Sequence, residues 1–326
     1  VYLPVFAYYM WLAVRLRSLA FFAAVNPGIR HGGMAGEAKA EILPLLPSHL
    51  LPSTVVVQAG ATAQQVLARM QAQGIGFPVI AKPNVGERGR LVEKIDDATA
   101  LARYLAQVNE TVLVQQYVDL PVEAGILYYR LPTQTRGHVT SIVLKELLAV
   151  VGDGTHTVGE LILQQPRARM VLHRLQQDFK DRWNDVLPAG ARLLLVPIGN
   201  HIRGTCFRNG NAHITPAMAA AYDAIFAAIP GVYFGRLDVR AASMADLQAG
   251  RIIILELNGV SSEPGHIYDP DFPLLRAWGV LLHHWRIIAQ IAQANHRAGV
   301  PYLSFAEGRR MLRDYFAAHR HRDVKP

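Results

Sequence analysis

Polar residues at the ends of apolar runs are where this sequence could do chemistry. Ile252–Leu257 is an apolar run that contains Glu256 and leads into Asn258. Residues two apart on a strand project from the same face, so this acid and this amide share one surface. Asp238 stands on the preceding run, Val232–Arg240, and the connection between the runs allows antiparallel pairing. Two carboxylates and an amide oxygen are hard donors of the kind that hold Mg²⁺ on substrate phosphates. The competing reading is a solvated or salt-bridged sheet edge, and the cost of carboxylates inside so apolar a run argues against it. A second group is Phe77–Pro83, which ends in Lys82 and runs into a loop, Asn84–Arg90, with Gly86 and Gly89. An ammonium beside loop N–H groups can hold polyphosphate. The stretch Gly259-Val260-Ser261-Ser262-Glu263 starts like a nucleophile elbow but has Glu where the second glycine belongs, which argues against a serine hydrolase. The chain has no G-x-x-x-x-G-K-[ST], no G-x-G-x-x-G and no H-E-x-x-H.

Elements must hold these groups in place. The pattern predicts helices over Pro4–Arg17, Glu37–Leu45, Ala63–Gln73, Ala98–Gln107, Pro216–Ile229 and Pro273–Ala294, and a basic helical stretch over Arg309–Arg322. Strands are expected at Ser18–Val25, Thr54–Gln58, Phe77–Lys82, Leu91–Ile95, Val112–Val118, Val122–Leu131, Val232–Arg240 and Ile252–Leu257. His138–Val151 reads as one long strand ended by a hairpin-type turn at Gly152-Asp153-Gly154. Arg192–Ile198 and Ile202–Arg208 read as a strand pair. Strands and helices mix without strict alternation, so the expected class is α+β with antiparallel sheets. The Pro44, Pro47, Pro52 cluster reads as a linker.

The order of these pieces resembles the ATP-grasp superfamily, and within it the D-alanine–D-alanine ligase-like carboxylate–amine ligases. The residues that carry it most specifically are Gly235-Arg236-Leu237-Asp238-Val239-Arg240 and Ile254-Leu255-Glu256-Leu257-Asn258. The resemblance implies that Asp238, Glu256 and Asn258 bind two Mg²⁺ and that Arg236 stabilises charge on the transferring groups. It implies nucleotide contacts from Lys82, from Lys39 in Gly36-Glu37-Ala38-Lys39, and from the loop of Gly86 and Gly89. Val112–Val118, with Gln115, Tyr117 and Val118, is similar to the hinge strand that meets adenine, and Glu123 stands where the family has a ribose-binding acid. The Val151–Gly154 turn, Asn200 and Arg203-Gly204 resemble the cyanophycin-synthetase branch. The division implied is an abbreviated N-terminal segment over 1–50, a small lobe over 51–117 and a large lobe over 118–326, with two α/β lobes gripping ATP. The activity implied is ATP-dependent carbon–nitrogen ligation through an acyl phosphate, with a small carboxylate and an amine as substrates. The same fold with a thiol acceptor or a polymeric product, and a non-catalytic basic protein at a membrane surface, are the other readings. Against the family pattern N-[TS]-x-P-G, this chain reads Asn258-Gly259-Val260-Ser261-Ser262-Glu263-Pro264-Gly265-His266, so its substrate end differs, and Gln115 stands where an acid is common. Glu263 and His266 are candidates to hold the amine as its ammonium and to accept its proton near neutral pH; the alternative for Glu263 is a turn cap or an Arg pair.

Composition limits the partners. With 33 Lys and Arg against 25 Asp and Glu the net charge is +8, which favours anionic partners. Basic residues interleaved with aromatics on one surface are not found, so no nucleic acid is expected. The single cysteine, Cys206, excludes an intrachain disulfide and a multi-cysteine zinc site and points to a reducing, cytoplasmic setting. The apolar run Val1–Val14 is followed by Arg15 and Arg17, too short to span a bilayer and in the wrong order for a signal peptide. A helix buried in the fold, a homodimer contact, and a helix lying on a membrane with Tyr8, Tyr9 and Trp11 at the headgroups remain open. His283 and His284 are adjacent on a helix and read as structural.

Overall fold

The computed structural model describes residues 2–86, 89–199 and 203–320, with side chains as far as 315. Glu87, Arg88, Asn200, Ile202 and the end of the basic stretch at His321 and Arg322 lie outside the described residues. In chain order the elements are α1 (Leu3–Leu16), α2 (Lys39–Ile42), β1 (Thr54–Val57), α3 (Ala63–Ala72), β2 (Val79–Pro83), β3 (Glu93–Ile95), α4 (Ala98–Gln107), β4 (Val112–Gln116), β5 (Val122–Tyr129), β6 (His138–Glu146) and β7 (Ala149–Val151). They continue with α5 (Val158–Gln164), α6 (Leu172–Asp178), β8 (Arg192–Leu194), β9 (Cys206–Asn209), α7 (Pro216–Ala227), β10 (Phe234–Ala241), α8 (Met244–Gln248), β11 (Ile253–Asn258), α9 (Leu274–Arg297) and α10 (Phe305–Arg320). Caps mark the helix starts. Thr62 with Gln65 and Thr157 with Glu160 form capping boxes, and Asp97, Thr215 and Ser243 accept from backbone N–H groups of the first turns of α4, α7 and α8.

The chain divides into two units. One comprises Val1–Pro52, Val118–Val143 and Asn209–Pro326; the other comprises Ser53–Tyr117 and Leu144–Arg208. In the second unit β1-β4-β2-β3 form an antiparallel sheet. Val55, Val57, Val79, Ala81, Val112 and Val114 bury their side chains against Val66 and Met70 of α3 and Leu101 and Tyr104 of α4. The same unit holds the two-stranded sheet β7-β8, whose core of Leu148, Val150, Val158, Ile162 and Leu175 includes α5 and α6. Residues 144–208 thus fall in one unit with 53–117.

A five-stranded sheet runs in the order β11-β10-β5-β6-β9. In the first unit, β10 pairs antiparallel with β5 from Phe234↔Tyr129 to Ala241↔Val122, and with β11 on its other edge. Each apolar strand face needs cover, and the cover at the start of β10 comes from α9, α1 and the turn between α1 and α2: Leu127 and Phe234 share a core with Phe21, Leu12, Ile288 and Ile291.

The expected α+β class with antiparallel sheets describes this chain, and most elements fall within a few residues of their expected spans. Four expectations change. Ser18–Val25 is not a strand: Phe21–Ala24 forms a 3₁₀ turn, with Phe21 and Phe22 buried in the helix-rich core rather than beside a partner strand. His138–Val151 is two strands, β6 and β7, because the chain leaves one sheet for another after Glu146. Gly152-Asp153-Gly154 is not a hairpin turn. Gly152 exchanges backbone hydrogen bonds with Ala191 and Gly190, and Asp153 accepts from the N–H groups of Thr155 and His156, leading the chain into α5. Finally, β8 pairs with β7, and β9 lies beside β6, so the two segments expected to pair with each other do not.

Candidate functional site

The antiparallel register of β10 and β11 brings the acidic set together. Asp238 lies opposite Glu256 and Arg236 opposite Asn258, and the ladder breaks register immediately afterwards, between Asp238 and Val239. Because strand side chains alternate, all four emerge from one face. Arg236 grips Asp238 with two charge-assisted bonds, Nε to Oδ1 at 3.0 Å and a terminal nitrogen to Oδ2 at 3.2 Å. Asn258 Nδ2 donates to Asp238 Oδ2 at 3.4 Å. Lys39 Nζ reaches Glu256 Oε1 at 3.2 Å, with both side chains partly shielded.

The backbone makes room for this crowd. On the other edge of β10, Gly125 is in register with Asp238, and a Cβ there would lie 3.0 Å from both Arg236 Cδ and Asp238 Oδ1. Any larger residue would push the ion pair off its position. Arg236 holds its proton more tightly than an ordinary arginine. Burial works against the charge, but the carboxylates of Asp238, Glu256 and Glu263 outweigh it.

Lys39 arrives by a different route. Val260 and Ser261 donate to the carbonyls of Gly32 and Gly33 at 3.1 and 2.8 Å, and Gly259 N donates to Glu37 Oε1 at 3.2 Å. A Cβ on Gly33 would come within 2.6 Å of Gly259 Cα, so glycine on glycine permits the approach. The loop that precedes α2 is thus laced to the loop that follows β11, which brings Lys39 to Glu256. Glu37 and this glycine contact were not foreseen, since nothing local in the sequence ties residue 33 to residue 259.

The loop after Asn258 carries Glu263 and His266. Glu263 accepts from the hydroxyls of Tyr268 and, at 3.1 Å, Tyr2, which in turn hydrogen-bond each other at 2.6 Å. Among the described residues it neither caps a turn nor pairs closely with an arginine, though its charge is felt by Arg236. The two tyrosines were missed because one lies at the far end of the chain. His266 is buried and hydrogen-bonded through Nδ1 to Ser141 Oγ at 2.7 Å. Burial lowers its pKa to about 4. The ring is thereby kept neutral, and its hydrogen bond ties the loop to Ser141 on β6.

In the second unit Lys82 is buried at the end of β2, and its Nζ donates to Gln115 Oε1 at 3.0 Å. Gln115 donates in turn from Nε2 to Thr54 Oγ1 at 2.9 Å, which fixes the amide beside the lysine. Gly89 has φ +70° and its carbonyl accepts from Arg203 at 2.7 Å, while Val92 O accepts from the same guanidinium at 2.9 Å. Arg203 thereby holds the end of the glycine loop. Gly86 stands at the start of the same loop, where a Cβ would make ordinary contact with Pro83. Tyr117 N donates to Pro78 O, and Lys94 lies over the Tyr117 ring at 5.2 Å.

Val118 and Glu123 belong to the first unit. Arg240, in register with Glu123, donates twice to Glu123 Oε2, at 3.0 and 2.7 Å, and once to Val118 O at 2.5 Å. The Glu123 carboxylate is buried in this pair, which clamps the start of β5. Among the described residues no group of three or more His, Cys, Asp or Glu could hold a metal ion. The candidate donor set is two carboxylates and one amide. That set suits a cation which, like Mg²⁺, takes few protein ligands and completes its shell with phosphate oxygens and water.

No protein-family model matches the chain and no curated protein is similar to it. Among solved structures, D-cycloserine synthetase is 16% identical with a TM-score of 0.41, the match covering 76% of this chain and 70% of that one. A bifunctional glutathione synthetase from Pasteurella multocida is 14% identical at a TM-score of 0.41, covering 76% of this chain and 35% of that one. VanG D-Ala:D-Ser ligase from Enterococcus faecalis is 13% identical at a TM-score of 0.44, covering 77% and 61%. The chain thus spans about a third to two thirds of the last two proteins. These synthetases and this ligase are what the chain is similar to in structure, at low identity.

Proposed function

We propose that this protein is an ATP-dependent carbon–nitrogen ligase that activates a small carboxylate as an acyl phosphate and passes it to an amine. The observation that carries the reading is the β10–β11 register, which sets Asp238 against Glu256 and Arg236 against Asn258 on one face, with Lys39 on Glu256. A carboxylate is a poor electrophile, and phosphoryl transfer makes it a good one. Such transfer asks mainly for charge neutralisation and alignment, which agrees with a constellation holding acids, cations and no activated nucleophile.

In this reading Asp238, Glu256 and Asn258 hold two Mg²⁺, which when bound neutralise the nucleotide's phosphates. Arg236, fixed by Asp238, presents its remaining N–H groups to negative charge as it develops. Lys39, held on Glu256 at 3.2 Å, would offer its ammonium to the phosphates. Lys82 and the loop of Gly86 and Gly89, held by Arg203, would contact phosphate, and Gln115, Tyr117 and Val118 would border the adenine. Glu263, oriented by Tyr2 and Tyr268, accepts hydrogen bonds from the incoming ammonium. The test is release of ADP and phosphate with pools of amino acids, peptides, polyamines and fatty acids. Turnover in at least one pool is expected, with none for Glu256→Gln; nucleotide hydrolysis unchanged by that substitution would remove the metal assignment and the reading with it.

A further inference from the structure

The helix α1 has two apolar faces. One is accounted for: Tyr9 meets Trp285 edge-on at 4.9 Å and stacks on Phe21 at 5.4 Å, while Leu12 and Ala13 join the core formed with α9. The other is turned to solvent. Leu3, Phe6, Trp11 and Val14 are 79, 61, 50 and 75% exposed, and Leu19, just past the helix, is 51% exposed. Large side chains at this spacing form a continuous stripe along a helix, and a stripe of this kind on a folded protein marks a binding surface.

We propose that the outward face of α1 docks on an anionic lipid bilayer. Charge selects this occupant. Residues 1–36 contain no Asp or Glu, whereas Arg15 and Arg17 close the helix and Arg30 follows. Arg15 lies over the Trp11 ring at 5.4 Å, and Tyr8 stacks on Trp11 at 5.5 Å. An indole with a guanidinium on its face suits the boundary between acyl chains and phosphate headgroups. A second copy of the chain fits less well. A parallel contact along α1 would bring Arg15 and Arg17 of both copies together with no acid on the helix to meet them. Among the described residues no helix is long and apolar enough to cross a membrane, so the helix lies on the surface. Its other face stays fixed to α9, so docking needs no refolding.

Flotation of the full chain with vesicles tests this. With vesicles of equal parts phosphatidylcholine and phosphatidylglycerol the protein should float; with phosphatidylcholine alone it should stay at the bottom of the gradient. Phe6→Ser, Trp11→Ser and Val14→Ser together should weaken binding by roughly tenfold or more, as should Arg15→Glu with Arg17→Glu. These side chains are exposed, so circular dichroism and melting should match the parent, and each variant should keep whatever ATP turnover the parent has. Absence of flotation on anionic vesicles would overturn the proposal, as would undiminished flotation of the triple variant. A parent dimer that the triple variant dissolves would make the face a subunit contact instead.

Discussion

Arg236 holds the most informative position at the scale of single residues. Its guanidinium is committed to Asp238 by two bonds, yet it answers electrostatically to Glu256 and Glu263 as well. If its remaining donors serve the transition state, Arg236→Ala should lower kcat by about two to three powers of ten, the scale of removing such a donor, with a smaller change in ATP affinity. Steady-state kinetics with isothermal titration separates the two quantities, and an equal loss in both would make Arg236 a residue that only positions the nucleotide. Glu263→Gln keeps the hydroxyl partners Tyr2 and Tyr268 but removes the charge. The apparent KM for the amine should then rise at least tenfold while ATP affinity holds; an amine dependence that does not move would reduce Glu263 to a tether for Tyr2. The pairing of Asp238 with Glu256 was legible in the sequence because two acids on neighbouring apolar strands have few other places to go. Gly125, Glu37 and Tyr2 were not legible. Their roles come from partners 113, 222 and 261 positions away, as the separations of Asp238, Gly259 and Glu263 show, and no local pattern encodes such distances.

Among the elements, the segment between α1 and α2 shows how one side chain substitutes for regular structure. Asn26 is fully buried, donates to Gly32 O at 2.9 Å and Phe234 O at 2.8 Å, and accepts from the N–H groups of Tyr233 and Phe234 at 2.8 and 3.0 Å. It stitches the turn to the first residues of β10, and through Gly32 and Gly33 that turn meets the loop after β11. Asn26→Ala would take their partner from Phe234 O and from the N–H groups of Tyr233 and Phe234, and one of two donors from Gly32 O, so a loss of roughly 3 kcal/mol is expected, read as a lower midpoint in urea. Lys39 would then lose its approach to Glu256, and ATP affinity should fall along with stability. A variant as stable as the parent would mean that water replaces the amide at no cost. This architecture explains why Ser18–Val25 misled: its aromatic and alanine residues suit a buried strand, but a strand needs a neighbour, and here the neighbours are helices. The spans of α4, β5, β10 and β11 were readable because capping residues and two-residue alternation are local signals. The exchange of partners by β7, β8 and β9 was not, because their short runs are compatible with several pairings and the choice is made by tertiary contacts.

For the molecule as a whole, two buried histidines tie stability to pH. His284 hydrogen-bonds Thr140 at 3.0 Å and the Val280 carbonyl at 2.7 Å. His266 is held on Ser141 at 2.7 Å. Burial lowers both to a pKa of about 4, whereas an unfolded chain would protonate them at an ordinary histidine value near 6.5. Between those values the unfolded state binds protons that the folded state refuses, so stability falls as pH falls through that window and levels off below it. From pH 6.5 to 5, before most carboxylates titrate, each ring should contribute a loss of about 2 kcal/mol at most. Both rings belong to the first unit, so the acid-sensitive transition should be that unit's. The second unit, where the exposed His156 is instead raised by Asp153, should not share it. Urea midpoints measured across this window should decline with acid for the parent and decline less for His284→Gln. A parent curve that stays flat from pH 6.5 to 5 would mean that the rings accept protons in the folded state, and with them water into the core beneath α9.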